Sequence, residues 1–381
     1  MKILMLSIFA PHFFNWTKQL EDSGHEVYWL DVFDSNTEVA QIEFVGQITG
    51  WRYKWDFPGR YFLKNQMPGL NSFINKFNER ELAEVFNQKL QEIEPDLVHM
   101  FVMHLSCFPI QKIINRNPKI KWAYSSWGSD LYYYKDKKAA AEKIKKILPS
   151  INFMFSDCYR DFQIAKDLGF SGEFLGVFPG GGGYDFNRLN PFITSLPSRN
   201  TILIKGYQGK HGRCVQVLKA MVALKPDCSN YNIVVFGGNE EVKSFILGSE
   251  LKDWNNLKML GRIPHNEVIK LMGQSLVYIG NSLSDGMPNT LLEAIIMGAF
   301  PIQSNPGGAT AELIIDGRNG KLIHDPENPQ EIETKLRSVL NNDTHLEEAV
   351  EYNLKIIKPS LERNTIKKQV LKKYQYIEDQ L

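Results

Sequence analysis

The feature that most constrains this chain is an alternation of short, continuous apolar runs with amphipathic stretches of helical period. In the first half, KILMLSI (2–8), HEVYWLDV (25–32), DLVHMFV (96–102), KWAYSSW (121–127), INFMFSD (151–157) and GEFLGVF (172–178) read as strands. Runs this short and this uniformly apolar suit strands covered on both faces, as in parallel sheets. Helices are predicted between them over 15–24, 78–94 and 135–148. Strand–helix alternation of this kind implies an α/β chain with a doubly wound sheet.

The alternation breaks once and then resumes. PGGGGYDFNRLNPFITSLPSRN (179–200) holds four consecutive glycines and reads as an interdomain link. After it, TILIKGY (201–207), NIVVFGG (232–238), LKMLGRI (257–263), SLVYIGN (275–281) and AFPIQSN (299–305) form a second strand set. Helices are expected near 212–224, 239–249, 265–273 and 289–297. The expectation is two Rossmann-like domains facing across a cleft, 1–190 and 191–359. A C-terminal helix of about 360–381 is expected to pack back onto the first.

Composition narrows the function. A formal net charge of +1 gives no overall attraction to nucleic acid, so any basic surface must be local. Cys107, Cys158, Cys214 and Cys228 form no CxxC pair and no zinc spacing, and read as reduced thiols of a cytoplasmic protein. The run from Ile3 to Ala10 reads as a buried strand and not a signal segment. No G-x-G-x-x-G follows it, which disfavours a dinucleotide-dependent oxidoreductase.

The chemistry concentrates in NSLSDGMPNTLLEAIIMGAFPIQSNPGGATAELIIDGRNGKLI (281–323). A strand ends near Asn281, a Gly- and Pro-containing turn follows, and a helix starts near Asn289. Helix N-termini present amides that no preceding turn satisfies, together with a partial positive charge, so they suit phosphate. Ligands of open α/β sheets bind beyond the carboxyl ends of the strands. Asp285 and Glu293 flank this helix start. Two acids facing phosphate would repel it, so they are better suited to sugar hydroxyls. NPGG (305–308) offers a second close backbone approach after the next strand.

This segment resembles the family 4 (group 1) retaining glycosyltransferases of the GT-B fold. The resemblance rests on Asp285, Glu293, Ala294, Gly298 and Pro301, then Ser304, Gly307, Gly308, Glu312, Asp316, Gly317 and Gly320, spaced in the family's order with Pro301 displaced by one. It implies that Glu293 binds the donor ribose and Asp285 the donor-sugar hydroxyls. Backbone around Gly286, Met287, Pro288, Asn289 and Thr290 would meet sugar or diphosphate. The first acid of the family is usually Glu, and Asp285 is shorter. KGYQGKHGR (205–213) stands where the family grips the diphosphate, with Lys205, Gly206, Lys210 and Arg213 as candidates and Tyr207 in place of the family's Arg. Arg262 and Ile263 of GRIP (261–264) stand where the nucleotide base is contacted. On the acceptor side, SSWGSD (125–130) resembles a His–Gly–x–Asp loop with Trp127 in place of His and with Asp130 kept; His12 and Asn15 follow the first strand. No metal and no other cofactor is implied.

The implied activity is transfer of a hexosyl or N-acetylhexosaminyl group from a nucleotide sugar, a UDP-sugar foremost, to a saccharide or lipid-linked glycan. A sugar-nucleotide epimerase and a catalytically silent sugar-nucleotide-binding protein share the architecture. WRYKWDFPGRYF (51–62) mixes Trp51, Tyr53, Trp55, Phe57, Tyr61 and Phe62 with Arg52, Lys54 and Arg60, and Lys64 follows. Such mixtures suit an anionic membrane surface or a lid over the acceptor. They imply a peripheral visitor to the inner face of the membrane in surface-polysaccharide synthesis.

Overall fold

A computed structural model of the chain describes the backbone of residues 1–381 and every side chain except those of Tyr61 and Asp343. The chain divides into two compact units. The first holds Met1–Ser156, Asp161–Gly182 and Lys367–Leu381; the second holds Asp157–Arg160 and Gly183–Ile366.

The first unit is built on seven parallel strands: β1 (Lys2–Ser7), β2 (Glu26–Asp31), β3 (Gly46–Ile48), β4 (Leu97–Phe101), β5 (Lys121–Ser126), β6 (Phe153–Ser156) and β7 (Glu173–Val177). Their order is β3-β2-β1-β4-β5-β6-β7. Leu4 of β1 pairs with Tyr28 on one side and Val98 on the other. Every residue of β4 is buried, as a strand covered on both faces must be. One face packs Leu4, Leu6, Val98 and Met100 against Val85 and Phe86 of helix α2 (Leu82–Ile93). On the other, His99 bonds the Tyr374 hydroxyl at 2.7 Å through Nδ1 and Ser125 at 2.8 Å through Nε2. Burial drives the His99 pKa down to about 3, so it is a neutral core residue.

One predicted boundary shifts for a local reason, and one strand escapes the sequence pattern. The first helix is α1 (Pro11–Lys18), and not 15–24. Proline's fixed φ preorganises it for the first helical position, and it has no N–H to leave unsatisfied there. The chain after Lys18 turns instead, with Asp22 at φ 62°. Strand β3 is three residues long, too short to carry a period of two.

The second unit has six parallel strands: β8 (Thr201–Lys205), β9 (Asn232–Phe236), β10 (Leu257–Met259), β11 (Ser275–Gly280), β12 (Phe300–Ser304) and β13 (Lys321–Ile323). The order β10-β9-β8-β11-β12-β13 reverses direction between β8 and β11. Helices α3 (Cys214–Leu224), α4 (His265–Gln274), α5 (Asn289–Ile296) and α6 (Pro329–Leu340) pack on it. The core holds Ile202, Ile204, Val235, Val277, Ile279 and Ile302 with Leu218, Met221 and Leu336. Gly206 shows what the closely spaced ends of β8 and β9 demand. A Cβ there would lie 2.6 Å from the Gly238 amide nitrogen, so only glycine lets the ends of β8 and β9 approach this closely.

Candidate functional site

The second sheet's reversal between β8 and β11 is the topological switch point at which open α/β sheets bind ligands. Lys205 ends β8, and the segment Asn281–Pro288 runs from β11 to helix α5. Pro288 occupies the N-cap of α5; among the described residues no side chain caps it and no acid stands in its first turn. Its first amides and the positive end of its dipole are therefore available to an anion. The Tyr278 hydroxyl bonds Thr290 Oγ1 at 2.9 Å and the Tyr184 hydroxyl donates to the Asn289 carbonyl at 3.3 Å, which fixes the helix start.

Asp285 sits in the turn before α5, with Oδ1 accepting from the Gly286 amide at 3.0 Å. Burial pushes its pKa up, while Lys205, the Gly286 amide, Arg160 and His211 pull it down. Three basic groups thus act on one half-buried acid. Gly286 is required by packing, since a Cβ there would fall 2.3 Å from the Asp157 carboxylate.

Glu293 lies one turn into α5 and is almost fully buried. Its Oε1 pairs with His265 Nε2 at 2.7 Å. His265 is the first residue of α4, directly after the GRIP turn. The Glu293 hydrogen bond raises the His265 pKa against the opposing effect of burial. Sequence reasoning had placed Arg262 and Ile263 in this turn and missed His265. The available signal was an aromatic hydrogen-bonding residue opening a helix that follows a strand end. Arg262 is exposed and Ile263 half-buried.

The basic loop 205–213 is held from several sides. The Leu283 amide donates to the His211 carbonyl at 2.8 Å and the Arg213 amide to the Asn281 carbonyl at 3.0 Å, so it lies along the Asp285 turn. The Arg213 guanidinium, expected to grip diphosphate, ties the loop together in this structure. Nε bonds Glu327, and one terminal nitrogen donates to the Gly209 and Gly212 carbonyls at 2.8 and 2.7 Å. Lys205 holds its ammonium 5.6 Å from the centre of the Tyr207 ring. Lys210 is exposed.

The downstream motif is chiefly architectural. Ser304 Oγ accepts from the Ser282 amide at 2.8 Å, and Gly307 and Gly308 both take positive φ. Glu312 accepts from the Tyr159 and Arg160 amides at 2.6 and 2.8 Å. Asp316 accepts from the Leu322 amide at 2.8 Å and pairs with Lys335 at 3.2 Å, closing the turn into β13.

In the first unit, Asp130 is buried and accepts from the Met103 amide at 2.7 Å and the Tyr124 hydroxyl at 2.5 Å. His104 Nδ1 lies 3.4 Å from its other oxygen, so an imidazole stands beside Asp130 although Trp127 has replaced the expected one. Val102, between β4 and this turn, has φ 66°, an outlier for a β-branched residue of the kind that clusters at functional sites. Trp127 is only 7% exposed; Phe101, His12 and Trp16 surround it at centroid distances of 4.6, 5.0 and 6.0 Å. That packing leaves little of its face for a sugar. Burial lowers the His12 pKa, so His12 is neutral near pH 7. Asn15 accepts from Gln41 at 2.7 Å. Trp51, read as part of an aromatic surface, is a core residue whose indole donates to the Asp31 carbonyl at 2.8 Å. Tyr61, from the same surface, lies outside the described side chains. Among the described residues no helix is long and apolar enough to cross a membrane.

Comparison with known proteins bears on the fold and the family. Residues 188–356 match the glycosyl transferases group 1 family. A Methanocaldococcus jannaschii protein described as an uncharacterized glycosyltransferase is 29% identical over 131 residues. That match covers 33% of this chain and 32% of the relative, so the chain aligns with about a third of its curated relative's length. Among solved structures, the sucrose-phosphate synthase of Thermosynechococcus elongatus superposes with a TM-score of 0.73 at 12% identity, covering 100% of both chains. Anabaena HepE, solved in complex with UDP and glucose, gives a TM-score of 0.68 at 14% identity, covering 98% of this chain and 99% of its own. At these identities the likeness establishes the fold, which is GT-B.

Proposed function

We propose, on the premise that residues 188–356 match the glycosyl transferases group 1 family, that the protein is a retaining glycosyltransferase. It moves a hexosyl or N-acetylhexosaminyl group from a UDP-sugar to a saccharide or lipid-linked glycan in surface-polysaccharide synthesis. The observation that carries the reading is the half-buried Asp285 in the turn at the uncapped start of α5, with Lys205, Arg160 and His211 acting on its charge. An anion bound there meets helix amides and cations, while the acid remains for hydroxyl groups. The UDP preference is supported by HepE and by the pneumococcal O-GlcNAc transferase GtfA, which was solved with UDP and GlcNAc.

In this reading the donor occupies the second unit and the acceptor belongs to the first. The α5 amides, Lys205 and Lys210 hold the diphosphate and stabilise it as it leaves. Glu293 binds the ribose and Asp285 the sugar. The sugar C1–O bond to the diphosphate breaks, the acceptor oxygen bonds C1, and the acceptor proton leaves with the phosphate. The reaction is assigned no metal. The test is mass spectrometry of products from a panel of nucleotide sugars with saccharide and lipid-linked acceptors. A glycosylated acceptor is expected; conversion of the donor alone would identify an epimerase, and no conversion a silent binder.

The two sides of the basic loop should separate on mutation. Lys205→Ala is expected to weaken UDP binding by about 1.5–3 kcal/mol while leaving uridine unchanged, because only the diphosphate loses a charge-assisted contact. Arg213→Ala should lower the melting temperature and weaken uridine and UDP alike, since its guanidinium organises the loop. Calorimetry with both ligands distinguishes these; a UDP-selective loss in Arg213→Ala would return Arg213 to the phosphate.

A further inference from the structure

The expected aromatic-basic surface at 51–64 is displaced in the folded chain. Trp51 is in the core, and Arg60 lies 3.9 Å over the Tyr53 ring and 3.3 Å from Asp56. The apolar exposure continues instead into two helices, Arg60–Gln66 and Pro68–Asn78. Phe62, Met67, Leu70, Phe73 and Phe77 are each between 45 and 65% exposed, as is Trp55 at 61%. Leu70, Phe73 and Phe77 recur at intervals of three and four, so one face of the second helix is apolar and points to solvent. The Phe73 and Phe77 rings meet edge to face at 5.6 Å.

This exposure is held in place from its base. The Asn78 side chain is buried, accepting from the Trp55 amide at 2.7 Å and donating to the Trp55 carbonyl at 2.9 Å. Main-chain bonds Lys54–Asn78 and Arg80–Arg52, of 2.9 and 2.8 Å, close the excursion where it leaves the fold. The cations are on the same excursion. Lys54, Lys64 and Lys76 are exposed, and between Lys54 and Asn78 the only acid in the sequence is Asp56.

We infer that the helix pair Arg60–Gln66 and Pro68–Asn78 docks the first unit onto an anionic lipid surface, with Phe62, Leu70, Phe73 and Phe77 entering the headgroup boundary. A second helix of 11 residues lies about 16 Å along the surface. Aromatic and aliphatic side chains insert roughly 5–10 Å at such an interface while lysines meet the acidic headgroups. The excess of lysine over acid favours a phospholipid surface over an acid-and-base-patterned protein partner. The inference goes beyond the proposed transfer and does not depend on its donor or acceptor.

The experiment is sedimentation of the full chain with large vesicles of phosphatidylcholine alone or mixed with phosphatidylglycerol, at low and high salt. Wild type should sediment with the anionic vesicles and be largely released by salt, because the attraction is screened within about 10 Å at 0.1 M. Lys64→Ser with Lys76→Ser should weaken partitioning by roughly 20- to 30-fold. Phe73→Ser with Phe77→Ser should weaken it at least as much, at either salt. Both variants change exposed positions and should keep wild-type melting and UDP binding, which separates a failure here from a failure of the transfer reading. Wild type that stays in the supernatant, or either variant sedimenting like wild type, overturns the inference. So does a concentration-dependent dimer abolished by the Phe variant in a chain that ignores vesicles, which would make the face a contact between copies.

Discussion

Glu293→Ala is expected to lower kcat/KM by about 10²–10³-fold while leaving the fold intact. The carboxylate is buried, and in the proposed complex it accepts hydrogen bonds from the donor ribose, each worth about 1.5–3 kcal/mol to a charged acceptor. Its partner His265 has a largely exposed side chain, so after the substitution the imidazole can turn to water and the stability cost stays small. The diagnostic readout is binding of UDP against its 2′-deoxy analogue. Wild type should discriminate and Glu293→Ala should not. Normal turnover in a folded variant would end the assignment. His265→Ala provides the pH counterpart. The pair raises the folded-state pKa of His265 above its ordinary 6.5. Its contribution to stability is therefore full below pH 6.5 and is lost as pH rises through the folded value. The difference in melting temperature between wild type and His265→Ala should shrink over that range.

Much of the fold was legible because parallel strands covered on both faces announce themselves. KILMLS and TILIK each hold a continuous apolar run and lead toward a helix, and they became β1 and β8. Strands β3 and β13, of three residues each, carry too few side chains for a pattern. The acid pair and the helix start were legible because they are local, within ten residues of chain. Their partners were not. His265 reaches Glu293 across 28 residues and Glu327 reaches Arg213 across 114, and neither contact leaves a spacing in the sequence. Composition gave the sign of the loop's charge but could not show that the Arg213 guanidinium was already engaged. The aromatic segment failed differently. Trp51 and Trp55 look alike in sequence, and only the register of the fold sends one to the Asp31 carbonyl and the other outward. In the helix Pro68–Asn78, an apolar stripe that would ordinarily mark a core face points to solvent.

Asp285→Asn is expected to abolish transfer and to stabilise the protein at neutral pH. Burial raises the Asp285 pKa from its ordinary 3.8, so the folded chain holds the proton more tightly than the unfolded one. The sign follows from linkage: this favours folding fully below pH 3.8, and the advantage is lost as pH rises through the folded value. At neutral pH the site therefore holds a desolvated carboxylate that works against folding, with Lys205 foremost among the groups that offset it. Asparagine keeps the shape and the acceptor oxygen facing the Gly286 amide at 3.0 Å without the charge. Relieving such functional strain commonly stabilises by about 0.5–2 kcal/mol. The gain should be clear near pH 7 and vanish well below pH 3.8, where the carboxyl is protonated in the folded and the unfolded chain alike. Transfer should fall by about 10²-fold or more, because a neutral amide accepts a weaker hydrogen bond from a sugar hydroxyl than a carboxylate does. Thermal melting at both pH values, with turnover on the same samples, measures the two effects together. An asparagine variant that melts below wild type at neutral pH would mean that Lys205 and Arg160 more than repay the burial of Asp285. The acid would then stabilise this turn, and the cations around it would serve the fold before the donor phosphate.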